Sequence, residues 1–377
     1  MFSSNSAKWL FSSRPAFQAR DMGKTHSLDF LVMMSGYLIL SVIFNHVRIE
    51  YYNANYSWAT PLFHMNLLDA ILEIVRMPPV SGFVFVSGFR FQYSLLRYKT
   101  YERPDGQFLY RRYVRKRFKR LMIPYAIWTL VYLVIAYGIG LVHSVTSGAE
   151  PPVFVRLVDI PALITGWGQV AYQLWFIPML FFNMVIVIYI RFVLRRPTLS
   201  YALYGLFLFL QFVAPQVNAR VMPYGEWLGY IINLELGIVC AQVFYKRGAL
   251  PSLFMVALAW LAVAVLRLIP LPAPFPNVFR VAAYLISPLF LYALTFRLIP
   301  SSIQRRNWLY QLGKNVFPIF IIHAPFLTAW IVTFFSKSGL YNFWTLIPIA
   351  LVTAFSSFTV YRFLLWVVPK RVFDNMF

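Results

Sequence analysis

Apolar runs of about twenty residues recur along the whole chain, separated by short polar segments rich in arginine and lysine. Coiled as a helix at about 1.5 Å per residue, such a run matches the hydrocarbon thickness of a bilayer. A membrane barrel would instead show short alternating strands. The pattern therefore predicts an all-α integral membrane protein. Ten runs qualify as transmembrane helices, at about 28–48, 76–97, 121–142, 172–194, 199–215, 225–245, 250–270, 278–299, 314–336 and 342–369. No internal repeat and no long polar linker is visible, which leaves one membrane domain over 28–369 with tails at 1–27 and 370–377.

Charge then orients the runs. Only 12% of residues are charged, against about a quarter in a soluble domain, yet the formal net charge is +22. Ten Lys/Arg lie between Arg97 and Arg120, and further basic residues follow the fourth, sixth, eighth and tenth runs. The alternate loops are poor in Lys/Arg. This is the positive-inside distribution, and it places both termini in the cytoplasm. It also accounts for the excess charge without nucleic acid, leaving anionic headgroups of the lipid bilayer and anionic cytoplasmic ligands as partners. The polar N-terminal 27 residues do not read as a cleavable signal peptide. The single cysteine, Cys240, lies within an apolar run, so no intrachain disulfide is possible. The simple loops fit the plasma (inner) membrane of a bacterium.

Three stretches do not span. Residues 61–74 (PLFHMNLLDAILEI) read as an amphipathic outer-face helix, and 151–167 as an interfacial or re-entrant helix. The Pro-rich segment 268–277 reads as a stiff outer loop.

Ionisable residues within apolar runs are costly and therefore point to function. His46 lies near the outer end of the first run, Arg90 within the second, Glu235 in the sixth and His323 in the ninth. Histidine suits general acid–base work at neutral pH and can carry an acyl group covalently. The competing reading for either histidine is an interhelical hydrogen bond. Glu235 reads more as a structural partner for a buried polar group. Arg48, Arg76 and His64 sit toward the outer side, where they would meet an extracytoplasmic substrate; for the arginines, snorkelling is the plainer account. Residues 111–120 (RRYVRKRFKR) read as part of a basic cytoplasmic loop; it carries more charge than orientation requires, and phosphates suit arginine forks. No metal-ligand cluster stands out.

These residues also carry a resemblance. IFNH at 43–46, MPPVSGFVFVSGF at 77–89, Arg117-x-x-Arg120 running into LMIPY, and LWFIPMLF at 174–181 with FPIFIIHAPF at 317–326 occur in this order. LELGIVCAQ at 234–242 joins them. Together they resemble the membrane acyltransferase-3 superfamily. The resemblance implies transfer of an acetyl, succinyl or similar group from cytoplasmic acyl-CoA to a sugar hydroxyl of an extracytoplasmic polysaccharide or glycan. It implies acetyl-CoA or succinyl-CoA as co-substrate, no metal, and other envelope-polysaccharide machinery as a further partner. His46, Arg90 and His323 would be catalytic. Arg112, Arg115, Lys116, Arg117 and Arg120 would hold the CoA phosphates, and Arg48, His64 and Arg76 the acceptor side. The chain departs from the family at Ser35, where a basic residue is usual eleven positions before the histidine. Eleven residues make three helical turns, about 16 Å, on one face, and Arg90 lies at a depth where it would supply the missing charge. Two other classes compete: a glycan exporter without chemistry, and a non-catalytic subunit of a polysaccharide synthase.

Overall fold

The apolar runs fold as helices. The computed structural model describes residues 11–12, 28–55, 79–103, 106–148, 172–212, 224–248, 250–266, 269, 275–298, 307–369 and 373. In chain order the helices are α1 (Asp29–Asn55), α2 (Pro79–Tyr98), α3 (Tyr110–Ser147) and α4 (Phe176–Ile188). Next come α5 (Thr198–Phe212), α6 (Tyr224–Gly229), α7 (Ile231–Arg247), α8 (Leu253–Leu266) and α9 (Phe275–Leu298). The last are α10 (Trp308–Lys314), α11 (Val316–Ile322), α12 (Thr328–Lys337) and α13 (Leu346–Val367). Among the described residues a two-residue strand pair, Phe11–Ser12 against Leu250–Pro251, adds to the helices. The stretches 61–74 and 151–167 lie outside the described residues, as does most of 268–277; α9 begins inside the last of these.

Among the described residues, six helices are long and apolar enough to cross a membrane: Asp29–Ile49, Tyr110–Ser147, Gln173–Val193, Trp227–Arg247, Val278–Arg297 and Phe343–Val367. α5 and α8 are apolar but shorter. The second and ninth predicted runs are helical without meeting that description, for different reasons. α2 carries Arg90, Gln92 and Arg97 and is largely enclosed by protein, so its polar residues face neighbours rather than lipid. The ninth run is broken within its length.

Burial separates inner from outer helices. α1, α2, α4 and α7 supply most of the fully buried side chains, among them Met34, Phe85, Phe89, Met179 and Leu234. α8 and α13 expose large apolar residues such as Phe254, Leu258, Phe355 and Phe363, the surface that lipid contact requires. Exposed Trp344 and Trp366 bracket α13. Their separation of 22 residues is about 33 Å along a helix, close to the hydrocarbon thickness, as interfacial tryptophans demand.

Two close crossings fix the inner helices. A Cβ on Gly88 would strike the Leu234 carbonyl, and one on Gly237 the Phe85 carbonyl, so α2 and α7 touch through their backbones. Gly36 and Gly313 do the same for α1 and α10, meeting the carbonyls of Leu309 and Val32. Small residues permit this approach, and membrane helices gain their packing from it. Polar ties add to the packing. The Tyr310 hydroxyl donates to Asp29 (2.9 Å), and Arg191 pairs with buried Glu235 at 2.5 Å. The latter is the structural partnership expected for Glu235.

α3 corrects one expectation. The basic stretch 111–120 is not a loop but the first three turns of this 38-residue helix. At about 57 Å, α3 is far longer than the bilayer core is thick, so its basic end stands clear of the hydrocarbon.

The break in the ninth run follows from one residue. Pro325 has no N–H to give the Ile321 carbonyl, and it disfavours helical geometry at the residue before it. Ala324 is accordingly extended (φ −133°, ψ 156°), and His323–Leu327 form a wide turn. Side chains satisfy the freed carbonyls. The Tyr132 hydroxyl reaches those of Ile321 and Ala324, Gln173 donates to Ala324 (3.1 Å), and Thr328 donates to His323 (2.6 Å).

Candidate functional site

A cavity of about 740 Å³ opens between α1, α2, α3, α4 and α11. That volume suits a sizeable organic ligand. Its α2 wall is one helical face: Phe83, Ser87, Arg90, Ser94 and Arg97 recur at three- and four-residue steps. Ser35 lines the facing wall from α1. The Ser35 hydroxyl is committed to the Leu31 carbonyl of its own helix (2.7 Å) and brings no charge. Ser35 and Arg90 therefore share one cavity, as their matched depth in the sequence suggested.

Lys116, Arg117 and Arg120 line the mouth. Helical periodicity selects them. Residues 113, 116, 117 and 120 fall on one side of α3 at roughly 100° per residue, with buried Tyr113 anchoring that side. The Arg117 guanidinium lies over the Tyr113 ring, 5.5 Å from its centroid. Arg112 and Arg115 turn away; they are exposed and do not line the cavity. Among the described residues no carboxylate pairs with Arg90, Lys116, Arg117 or Arg120. Unbalanced cations gathered around one concavity make a site for an anion, above all one with several phosphate oxygens.

Periodicity on α2 would also have pointed to Arg97, seven residues after Arg90. Arg97 is held by the Tyr93 hydroxyl (2.8 Å) and stacks on Tyr98. Tyr101 and Thr100 complete the mouth from the turn after α2, a placement that no local signal in the sequence gives.

The inner end of the cavity is aromatic. Phe83, Phe176 and Phe320 form a chain of ring contacts, with centroids 5.8 and 5.6 Å apart. Phe320 in turn packs on His323 at 5.8 Å. His323 is fully buried, and its ring lies 5.2 Å from that of His46, tilted by 58°. Two histidines 277 positions apart in sequence thus meet behind a phenylalanine collar, while the cations stand on its other side. His46 is half-buried. It can act as a base or as a nucleophile toward a group arriving through the collar or from the opposite side.

Arg48 is buried on α1 two positions after His46 and does not line the cavity. His64 and Arg76 lie outside the described residues.

No curated protein and no solved structure matches this chain. The model of the acyltransferase-3 family, described as an acyltransferase domain, matches residues 33–362. That span takes in α2 and α11 whole, most of α1 and α13, and every cation and histidine of the site. By this match the chain belongs to the membrane acyltransferase-3 family.

Proposed function

We propose that the protein is an O-acyltransferase of the bacterial inner membrane. It moves an acetyl or succinyl group from cytoplasmic acyl-CoA to a sugar hydroxyl of an extracytoplasmic polysaccharide or glycan. The observation that carries this reading is a cavity with cations at its mouth that no described carboxylate pairs, and two histidines behind its aromatic end. Ten spans with both termini in the cytoplasm put the basic start of α3, and so the mouth, on the donor side.

Lys116, Arg117 and Arg120, with Arg97 beside them, hold the donor phosphates. Arg90 meets the donor deeper in, opposite Ser35. The thioester arm reaches through the collar toward His46. In direct transfer His46 removes the hydroxyl proton, the oxygen attacks the thioester carbonyl, the C–S bond breaks, and the thiolate recovers the proton from His46. In the stepwise route a His46 nitrogen attacks the thioester carbonyl, the C–S bond breaks and CoA leaves as the thiol with the ring proton; the sugar hydroxyl then attacks the acyl-imidazole, the C–N bond breaks, and the hydroxyl proton returns to the imidazole. His323 adjoins His46 in either case.

Binding of acetyl-CoA and succinyl-CoA to the purified protein tests this reading. The expected result is micromolar affinity for one or both. Arg117→Ala/Arg120→Ala should weaken it about thirtyfold, from two partly exposed charge contacts at about 1 kcal/mol each. His46→Ala should keep the binding and lose CoA release. A folded protein that binds neither thioester would overturn the reading in favour of an exporter or a synthase subunit.

A further inference from the structure

We propose that His323 is a positioning residue for His46: it accepts the ring N–H of His46 through its own Nε2 and so fixes which nitrogen of His46 carries the lone pair. The ring contact between the two histidines is observed, and the hydrogen bond is inferred from it; its use in acyl transfer rests on the reading above.

The His323 ring is oriented by its helix. Its Nδ1 lies 3.2 Å from the Ile319 carbonyl oxygen. A carbonyl only accepts, so Nδ1 carries the hydrogen and Nε2 carries the lone pair. That Nε2 is buried and has no hydrogen-bond partner among the described residues. A buried acceptor without a donor is costly, and such groups mark places where a structure is built for use. Of the two rings that contact it among the described residues, Phe320 offers no donor, whereas His46 offers an N–H, with centroids 5.2 Å apart.

The backbone beneath His323 is fixed as well. The helix breaks directly after it, and Tyr132, Gln173 and Thr328 hold the carbonyls of Ile321, Ala324 and His323. Side chains from α3, from the turn before α4 and from α12 thus converge on the break. They leave His323 one position relative to α1, where His46 stands. A neutral imidazole otherwise exchanges between two tautomers. With its inner nitrogen donating to His323, His46 presents a lone pair on its other nitrogen. That nitrogen can take a hydroxyl proton or attack a thioester.

The test needs no acceptor. Diethylpyrocarbonate modifies the lone-pair nitrogen of a neutral histidine, releasing ethanol and carbon dioxide, and mass spectrometry locates the adduct. In the intact purified protein, half-buried His46 should react and fully buried His323 should not; exposed His143 on α3 serves as the internal standard. Three variants separate the roles of the ring. His323→Gln places an amide oxygen where Nε2 stood, His323→Asn ends one bond short of it, and His323→Phe keeps the ring without the acceptor. The expected His46 rate is near wild type in the Gln variant and about three- to tenfold lower in the Asn and Phe variants, the range one net hydrogen bond supports. Equal rates in all three variants, or an unreactive His46 in the wild type, would overturn the proposal. If the Phe variant does not fold, the contrast between Gln and Asn decides. Failure of the acyltransferase reading shows elsewhere, as His46→Ala that still releases CoA. If both hold, His323→Asn lowers kcat while KM for acyl-CoA stays unchanged, because His323 does not line the donor cavity.

Discussion

Arg90 offers a test in which stability and function move in opposite directions. It is half-buried in the cavity wall, has no carboxylate partner among the described residues, and feels the charge of Arg120 across the cavity. Without ligand this arrangement is a strain. Two like charges several ångströms apart at an effective dielectric of about 20 repel by roughly 1–2 kcal/mol. Arg120 is exposed and screened, so about 1 kcal/mol is the better figure. Arg90→Met keeps the aliphatic stem and removes the charge. The empty protein should therefore unfold about 2 °C higher in detergent than the wild type.

The ligand reverses the sign. A donor bound at about 100 times its Kd stabilises the wild type by roughly 2.7 kcal/mol, or some 5 °C for a chain of this size. Arg90→Met should lose most of that shift. Thermal unfolding of both proteins, with and without acetyl-CoA and succinyl-CoA, gives all the curves required. Two outcomes refute the reasoning. An empty Arg90→Met protein less stable than wild type would mean that Arg90 is structural. An undiminished ligand shift would mean that the donor does not meet it. The trade is the usual one for a binding site, where charges held ready for a ligand weaken the empty fold.

Two further predictions concern the frame around the site. Gly237→Leu should part α2 from α7, because its Cβ already meets the Phe85 carbonyl, and the folded yield in membranes should collapse; Gly138→Leu, at an open position on α3, should be silent in the same expression assay. Phe320→Ala should open the collar by space for about three waters at roughly 30 Å³ each. The variant should then release CoA from acetyl-CoA by hydrolysis without an acceptor, faster than wild type; an unchanged hydrolysis rate would mean that the collar does not exclude water.

Much of this was legible from residue order, because a bilayer restricts a chain more than water does. Backbone groups in hydrocarbon must pair within a helix, so runs of apolar residues became helices wherever the structure describes them. The SGF and LELG motifs entered the sequence reading only through the resemblance; their glycines, Gly88 and Gly237, prove to carry the backbone crossing of α2 and α7. His46, Arg90 and His323 stood out because charge or polarity in an apolar run needs a reason. What did not show was which helix faces which. Reading 111–120 as a loop gave all its cations equal weight, whereas a helix divides them and leaves Arg112 and Arg115 off the cavity. Gln173 and Tyr132 could not be found at all. Pro325 says that a carbonyl needs a donor, but not which distant side chain supplies it.

Ser35 is the position where local sequence and assembled site differ most. Taken along α1 alone, a serine three turns below His46 leaves that helix without the basic residue its family usually has there. Across the cavity the charge is present, on α2 instead of α1, and the Ser35 hydroxyl turned back on its own helix leaves the space clear. A cavity responds to charge at a place and not to the helix that delivers it, because an anion in a half-enclosed site experiences the summed field of the walls. Exchange of the two residues is then the strictest expression of this account. Ser35→Arg combined with Arg90→Ser should restore donor binding that Arg90→Ser alone loses. Failure of the pair to recover would mean that Arg90 acts through direct hydrogen bonds whose geometry α1 cannot reproduce.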